Sequence, residues 1–358
     1  MEIYALYLPQ FHETEENNNW WGKGFTEWVN VKRAKPLYRG HVQPKHPIDD
    51  NYYDLLNKET VEWQTKQMHE YGIDGFIYYH YYFNGKLLLE KPAENLLKWK
   101  DIDQSFFFNW ANHSWCRSWN GSKEILMEQT YGGVEEWEKH FNYLLPFFKD
   151  NRYKKIDNKP VLIIYDINFK EKNEMFEWFD HWCREEGFDG LYLIEECFSV
   201  LSKQYQQFAT QKNSVTQKLY LTQPLVGRSL YNHRNSSIQI FMEKLINRLN
   251  QKGIIKIIKK YSGDDLLSAI MERKEEDKDI IPGLFFEWDN TPRHGHRGYI
   301  ITSVSKEIFI RYMNYYKNSD LMIINAWNEW CEGMMLEPSQ ENGYKYLEWI
   351  QEWKQKDK

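Results

Sequence analysis

Short apolar runs alternate with amphipathic stretches along most of the chain. Ile3–Leu8 (IYALYL), Gly75–Phe83 (GFIYYHYYF), Ser105–Trp110 (SFFFNW), Pro160–Tyr165 (PVLIIY), Gly190–Ile194 (GLYLI), Lys218–Thr222 (KLYLT), Ile280–Phe286 and Leu321–Asn325 (LMIIN) read as strands. Between them, Val61, Gln64, Met68 and Tyr71 recur at helical spacing over Thr60–Tyr71, and Gly72 follows as a stop. Glu135–Phe148, Glu174–Glu186, Ile238–Gln251, Lys306–Tyr316 and Gly343–Lys354 read as further helices. Residues 199–280 are rich in Gln, Asn and Lys, and there the pattern weakens into a helical, less regular region. Eight strands alternating with helices predict parallel pairing and a closed (β/α)8 TIM barrel in the α/β class. An open doubly wound sheet would want a glycine-rich turn after its first strand; here the chain reads Pro9-Gln10-Phe11-His12. With no internal repeat and no low-complexity linker, one domain over residues 1–358 is expected.

Composition narrows the function. The 358 residues carry a net charge of −6, so no basic excess is available to neutralise phosphates, and no nucleic-acid partner is expected. No apolar stretch approaches the ~18 residues of a membrane span, so no transmembrane segment is predicted. A strand-like run begins at Ile3, so no secretory leader is expected. The four cysteines, Cys116, Cys183, Cys197 and Cys331, are widely spaced without a C-x-x-C, which suits a reducing, cytoplasmic setting. Aromatic residues reach 17% of the chain, with 16 Trp and 25 Tyr. A bulky core accounts for many of them, but Trp and Tyr prefer places that are apolar on one side and wet on the other.

In a barrel, reactive groups gather where the strands end. Trp20, Trp21, Glu27 and Trp28 follow the first strand, and Tyr79, His80, Tyr81 and Tyr82 end the second. Trp110, Asn112, His113, Trp115 and Arg117 close the third, and Glu195 and Glu196 the fifth. Trp288, Asp289, Asn290 and Arg293 follow the seventh, and Asn325, Trp327, Asn328, Glu329, Trp330 and Glu332 the eighth. The opposite strand ends carry nothing comparable. Rings can cover the apolar face of a sugar while amides and carboxylates take its hydroxyls. The candidate sugar contacts are Trp21, Glu27, Trp28, Tyr79, His80, Tyr82, Trp110, Asn112, His113, Trp115, Arg117, Trp288, Asp289, Asn290, Asn325, Trp327, Asn328 and Trp330.

Glu329 and Glu332 are the candidate catalytic pair. Two carboxylates cleave a glycosidic bond when one stays protonated as acid and the other stays ionised. Two glutamates three apart also suit a solvated helix start; the flanking Trp327 and Trp330 favour a cleft. His80 and His113 fit a sugar contact and a satisfied core histidine equally. His294 and His296, beside Arg293 and Arg297, fit a solvated or anion-binding loop better than a metal site. Asp101-Ile102-Asp103 has the D-x-D form that holds a metal and sugar nucleotide, but it precedes the third strand and so falls at the wrong barrel end. No metal and no organic cofactor is implied; an oligosaccharide or polysaccharide is the expected partner.

Long segments of the chain, ALYLPQFH, WWGKGFTEW, NVKRAKPLYRGHVQP, YGIDGFIYYHYYFNGKLLLEKP, FFFNWAN, LPFFKDNRYKKIDNKPVLIIY, WDNTPR and INAWNEWCEGMMLEP, resemble the WbsX-type proteins. That family is similar to glycoside hydrolase family 99, the endo-α-mannosidases. The resemblance covers nearly the whole chain and is weakest over 199–280. It implies a (β/α)8 barrel with its site at the strand C-termini. It also implies that the W-N-E-W-x-E segment supplies both catalytic groups, with Glu329 as base and Glu332 as acid. The implied chemistry is retaining without a covalent enzyme intermediate: the base deprotonates the sugar's own 2-hydroxyl, which forms a 1,2-anhydro sugar. This needs the 2-hydroxyl anti to the leaving group, as in α-mannose or α-rhamnose. One departure stands out. Where the family commonly reads W-A-N-E-N-W, this chain has Trp110-Ala111-Asn112-His113-Ser114-Trp115, so His113 replaces a carboxylate. WbsX-type proteins are commonly labelled glycosyltransferases of O-antigen or capsule synthesis. The expectation is a carbohydrate-active enzyme of bacterial surface-polysaccharide metabolism, with a nucleotide-sugar-dependent glycosyltransferase and a catalytically silent glycan-binding barrel as alternatives.

Overall fold

In the computed structural model, which describes residues 1–116, 124–208, 215–234, 236–273 and 279–356, eight strands run parallel around a closed ring. They are β1 (Glu2–Tyr7), β2 (Gly75–Phe83), β3 (Phe106–Trp110), β4 (Lys159–Ile164), β5 (Tyr192–Cys197), β6 (Thr216–Leu221), β7 (Ile280–Leu284) and β8 (Leu321–Ile324). Each pairs with its neighbours in chain order, and β1 closes the ring by pairing with both β2 and β8. Each of the eight predicted runs falls on one of these strands. The runs read as continuous apolar sequence because helices cover the barrel outside while side chains fill it inside. Closure needs β1 and β2 in tight contact: a Cβ on Gly75 would lie 2.4 Å from the Tyr4 ring and 2.5 Å from the Ser105 carbonyl oxygen.

The covering helices follow the expected pattern. Lys58–Glu70 buries Val61, Gln64, Thr65, Gln67 and Met68, and Gly72, at φ +77°, takes the chain out of it. Val134–Phe148 buries Trp137, His140, Phe141, Leu144, Phe147 and Phe148. Lys91–Lys98, Lys172–Glu185, Lys306–Tyr315 and Lys345–Lys356 complete the regular part of the outer layer. Around residues 199–280 the β/α rhythm loosens, as its sequence suggests: β6 is followed by Leu225–His233, Ser237–Gln251 and Gly263–Met271 before β7 begins. A small sheet of Lys259–Tyr261, Tyr299–Ile301 and Trp288–Asp289 extends the barrel on this side. Among the described residues no helix is long and apolar enough to cross a membrane.

Strand alternation decides which side chains reach the barrel's interior. On β2, Tyr79 and Tyr81 point inward. His80 and Tyr82 lie on the opposite face, against the Val134–Phe148 helix, where Tyr82 stacks on His140 at 4.0 Å.

Candidate active site

A cleft of about 440 Å³ opens at the C-terminal end of the barrel, within the size range of small-ligand sites. All eight strands or the loops after them contribute to it: Gln10, Trp21 and Glu27 after β1, Tyr79 and Tyr81 on β2, and His113 and Trp115 after β3. Tyr165 follows β4, and Glu196 and Phe198 come from β5 and its end. Thr222 follows β6, Trp288 and Arg293 follow β7, and Asn325, Glu329 and Glu332 follow β8. The aromatic wall is self-supporting. Trp115 packs edge-on to Tyr81 at 5.1 Å, and His113 lies against Tyr165 at 4.8 Å.

At its centre three carboxylates converge on one guanidinium. Arg293 donates to Glu332 at 2.6 Å and to Glu329 at 3.4 Å, and approaches Glu27 at 3.2 Å. Arg293 is also the only cation among the described lining residues. Three negative charges in a buried place exceed what one arginine offsets, so the cluster retains protons. Burial pushes the Glu329 carboxyl up to about 8, with Glu332 and Glu27 adding to the rise and Arg293 opposing it. Glu332 is raised too, by burial first, against the counter-pull of its closer Arg293 contact. Glu196, on the other side of the cleft, accepts from Asn109 and from Thr222 at 2.7 Å; burial lifts it to about 7.

The residues behind this cluster explain why it holds its shape. Asn328 clasps the Leu8 backbone, accepting from its N–H at 2.7 Å and donating to its carbonyl at 3.0 Å. Trp327 and Trp330 donate to the buried Glu337 at 2.9 and 2.6 Å, and Tyr53 and Gln64 supply two more donors at 2.7 and 2.5 Å. Even so, burial keeps Glu337 at about 7. Gly333, at φ +59°, ends the tight turn that aims Glu332. A Cβ there would crowd Asp289 at 3.2 Å, and that backbone conformation itself favours glycine. Asp289 braces the Arg293 segment, accepting from Thr291, from Gln43 at 2.8 Å and from His41 at 2.7 Å. Asn290 accepts from the Tyr299 N–H at 2.9 Å.

Of the residues predicted to meet substrate, Trp21, Glu27, Tyr79, His113, Trp115, Trp288, Asn325, Glu329 and Glu332 line the cleft together. The others do not. His80 contacts His140 at 2.8 Å in the outer layer, and Tyr82 bonds Glu136 at 2.7 Å there. Trp110 is buried with its N–H on the Tyr82 carbonyl, and Asn112 ties Asp166 and Tyr131 in place. Trp28 is buried with its N–H on the Tyr53 carbonyl. Asp289, Asn290, Trp327, Asn328 and Trp330 form the support just described. Arg117 lies outside the described residues. Arg293, placed by the sequence after the seventh strand beside a loop read as solvated or anion-binding, turns to the carboxylates. Its sequence signal was the need of a buried acid pair for a counter-charge. Glu337, Tyr165 and Phe198 were not anticipated as site residues, and Tyr81, named at the end of the second strand, was not among the candidate sugar contacts. For Tyr81 the signal was its even spacing from Tyr79. Asp101 pairs with Lys58 ahead of β3, away from the cleft. Among the described residues no group of three or more His, Cys, Asp or Glu is arranged to hold a metal ion.

Comparison with known families matches residues 3–350 to "Glycosyltransferase WbsX". The chain belongs to the WbsX family. Two curated relatives, both the protein WxcX of Xanthomonas campestris pv. campestris, from strain B100 and from strain ATCC 33913, are each 28% identical over 367 aligned residues. The alignment covers 97% of this chain and 48% of each relative, so the chain spans about half the length of the curated relatives it matches. Among solved structures, a family 99 endo-α-mannosidase of a Bacteroides species, in complex with bis-tris propane, is similar over 99% of this chain and 96% of its own, with a TM-score of 0.57 at 12% identity. A "glycoside hydrolase-like protein" is similar over 98% of this chain and 93% of its own, with a TM-score of 0.60 at 13% identity. At those identities the likeness concerns the fold alone: this chain shares the barrel fold of these structures.

Proposed function

We propose that this WbsX-family barrel is a carbohydrate-active enzyme of bacterial surface-polysaccharide metabolism. In this reading it cleaves, or transfers across, an α-linked manno- or rhamno-configured glycosidic bond, with Glu329 and Glu332 as its acid–base pair. The observation that carries the reading is the placement of both carboxylates, one guanidinium apart, in an aromatic-walled cleft that strands on every side help to line.

The chemistry follows from the charges. One carboxylate removes the proton of the sugar's 2-hydroxyl; that oxygen bonds C1 as the C1–O glycosidic bond breaks, and the other carboxyl protonates the leaving oxygen. An acceptor, water or a sugar hydroxyl, then opens the anhydro ring with the two roles reversed. Family resemblance makes Glu329 the base, whereas burial lifts its carboxyl to about 8, above what suits a base. Substrate resolves the conflict by moving one proton. A hydroxyl donating to Glu329 favours its ionised form, and a leaving oxygen accepting from Glu332 favours the protonated form there. A nucleotide-sugar donor is the second reading, favoured by the family's name. It would bring a diphosphate among Glu27, Glu196, Glu329 and Glu332, with Arg293 the one cation among the described lining residues, and that charge balance supports the first reading over it.

The test is incubation with α-mannan, rhamnan and lipid-linked oligosaccharides, following new reducing ends and transfer products. Glu332→Gln and Glu329→Gln should each lower turnover by about 10²–10⁴-fold. Full activity in both variants would remove the mechanism; tight calorimetric binding of a sugar nucleotide would favour the second reading.

A further inference from the structure

Five of the twelve most exposed large apolar side chains among the described residues fall within residues 238–257: Ile238 (75% exposed), Met242 (48%), Leu245 (40%), Ile254 (65%) and Ile257 (49%). The first three belong to the Ser237–Gln251 helix, whose N-terminus is closed by a capping box on Ser236. At about 100° per residue, Ile238, Met242, Leu245 and the half-buried Leu249 fall in a stripe about 60° wide. Arg248 and Lys244, both exposed, flank one side of that stripe, and Lys252 and Lys256 are exposed just beyond the helix. Over residues 237–260 the sequence holds six Lys and Arg against one acid, Glu243, in a chain whose net charge is −6.

We propose that this cationic, apolar face docks the protein on an anionic lipid bilayer. Apolar side chains flanked by long cations are what an interfacial helix presents: the stripe enters the acyl boundary while Lys and Arg reach phosphate headgroups. A segment this basic on an acidic protein is drawn to an anionic surface, whereas a second copy would bring like charge to like charge. The helix packs against the Gly295–Arg297 turn, which directly follows the Thr291–His294 helix carrying Arg293. Docking therefore sets the rim of the cleft beside the lipid. If the proposed function holds, a glycan anchored at the membrane is the substrate this geometry serves; the docking itself does not depend on that reading.

The experiment is co-sedimentation of the whole chain with phosphatidylcholine vesicles and with vesicles enriched in phosphatidylglycerol, at low and high salt. Two variants go alongside, Arg248→Glu with Lys252→Glu, and Ile238→Asn with Met242→Asn. Wild type should sediment with the anionic vesicles at least about tenfold more than with the neutral ones, and less at high salt. The charge-reversed variant should lose that excess, and the apolar variant should lose most of its binding at both salts. Circular dichroism and turnover of a soluble oligosaccharide should be unchanged in both, since neither change touches the cleft. Indifference of wild type to anionic vesicles, or equal binding by wild type and both variants, overturns the proposal. So does light scattering showing a dimer that only the apolar variant dissolves. Vesicle binding without glycan turnover would refute the proposed function and leave the docking standing.

Discussion

Arg293→Met tests the electrostatic core of the cleft. Opposite charges about 4 Å apart interact by about 4 kcal/mol at the effective dielectric of protein sites, or about three pH units of carboxyl affinity for its proton. Glu332 has the shortest contact with the guanidinium, 2.6 Å, so it should lose the most. Without Arg293 the cluster should not stay ionised and unfold the barrel; it should take up protons. With both Glu329 and Glu332 protonated through neutrality, no base remains. At pH 7, kcat/KM should fall by about 10²–10³-fold and recover partly as pH rises, with the optimum displaced upward. Arg293→Lys should be intermediate, because one ammonium cannot span three carboxylates as a guanidinium does. The assay is kcat/KM against pH on a cleaved glycan, paired with potentiometric titration of proton uptake, which needs no substrate. An Arg293→Met variant with wild-type rate, optimum and proton count would refute the reasoning.

Two further outcomes follow from the buried carboxyls. Glu337→Leu leaves Trp327, Trp330, Tyr53 and Gln64 with donors that have lost their acceptor; at ~1–3 kcal/mol each before relaxation, a loss of at least ~3 kcal/mol is expected, read as a lower denaturation midpoint. An unchanged midpoint would show that water or rearrangement satisfies those groups. Folding raises Glu196 and Glu337 to about 7 and Glu329 to about 8. The stability these groups add is complete below their ordinary value near 4.5 and is lost as pH rises through 7–8. Asp150, held well below the usual range by Arg152 and Lys100 despite its burial, contributes the opposite dependence, lost only in strong acid. Tm should therefore be highest in mild acid and fall between about pH 5 and 9, with Glu196→Gln flattening the decline. A Tm that climbs from pH 5 to 8 would contradict these assignments.

The barrel was readable because its strands are buried on both faces and so interrupt the helical periodicity with uniform apolar runs. Which residues reach the cleft was readable only in part, and the reason is strand parity. His80 and Tyr82 share the apolar run of β2 with Tyr79, and proximity to the strand's end suggested all three as contacts. A strand offers alternate residues to opposite faces, so Tyr79 fixes Tyr81 as its partner inside and sends His80 and Tyr82 out to His140 and Glu136. The same parity separates Glu196, in the cleft, from Glu195, which bonds Lys172 at 2.6 Å and Thr216 at 2.7 Å. In irregular loops no such rule exists. Trp327, Asn328 and Trp330 surround Glu329 in sequence and look like substrate contacts, yet their polar atoms are spent on Glu337 and on the Leu8 backbone. That expenditure gives the loop its purpose. A carboxyl can stay protonated near neutrality only if water is kept from it, and here two indoles fastened to a third, deeper carboxylate form a dry support behind Glu329. The role of Arg293 was the hardest to foresee: its loop looks solvated in sequence, and only the convergence of three acids from two separate loops, after β1 and after β8, requires a cation at that point.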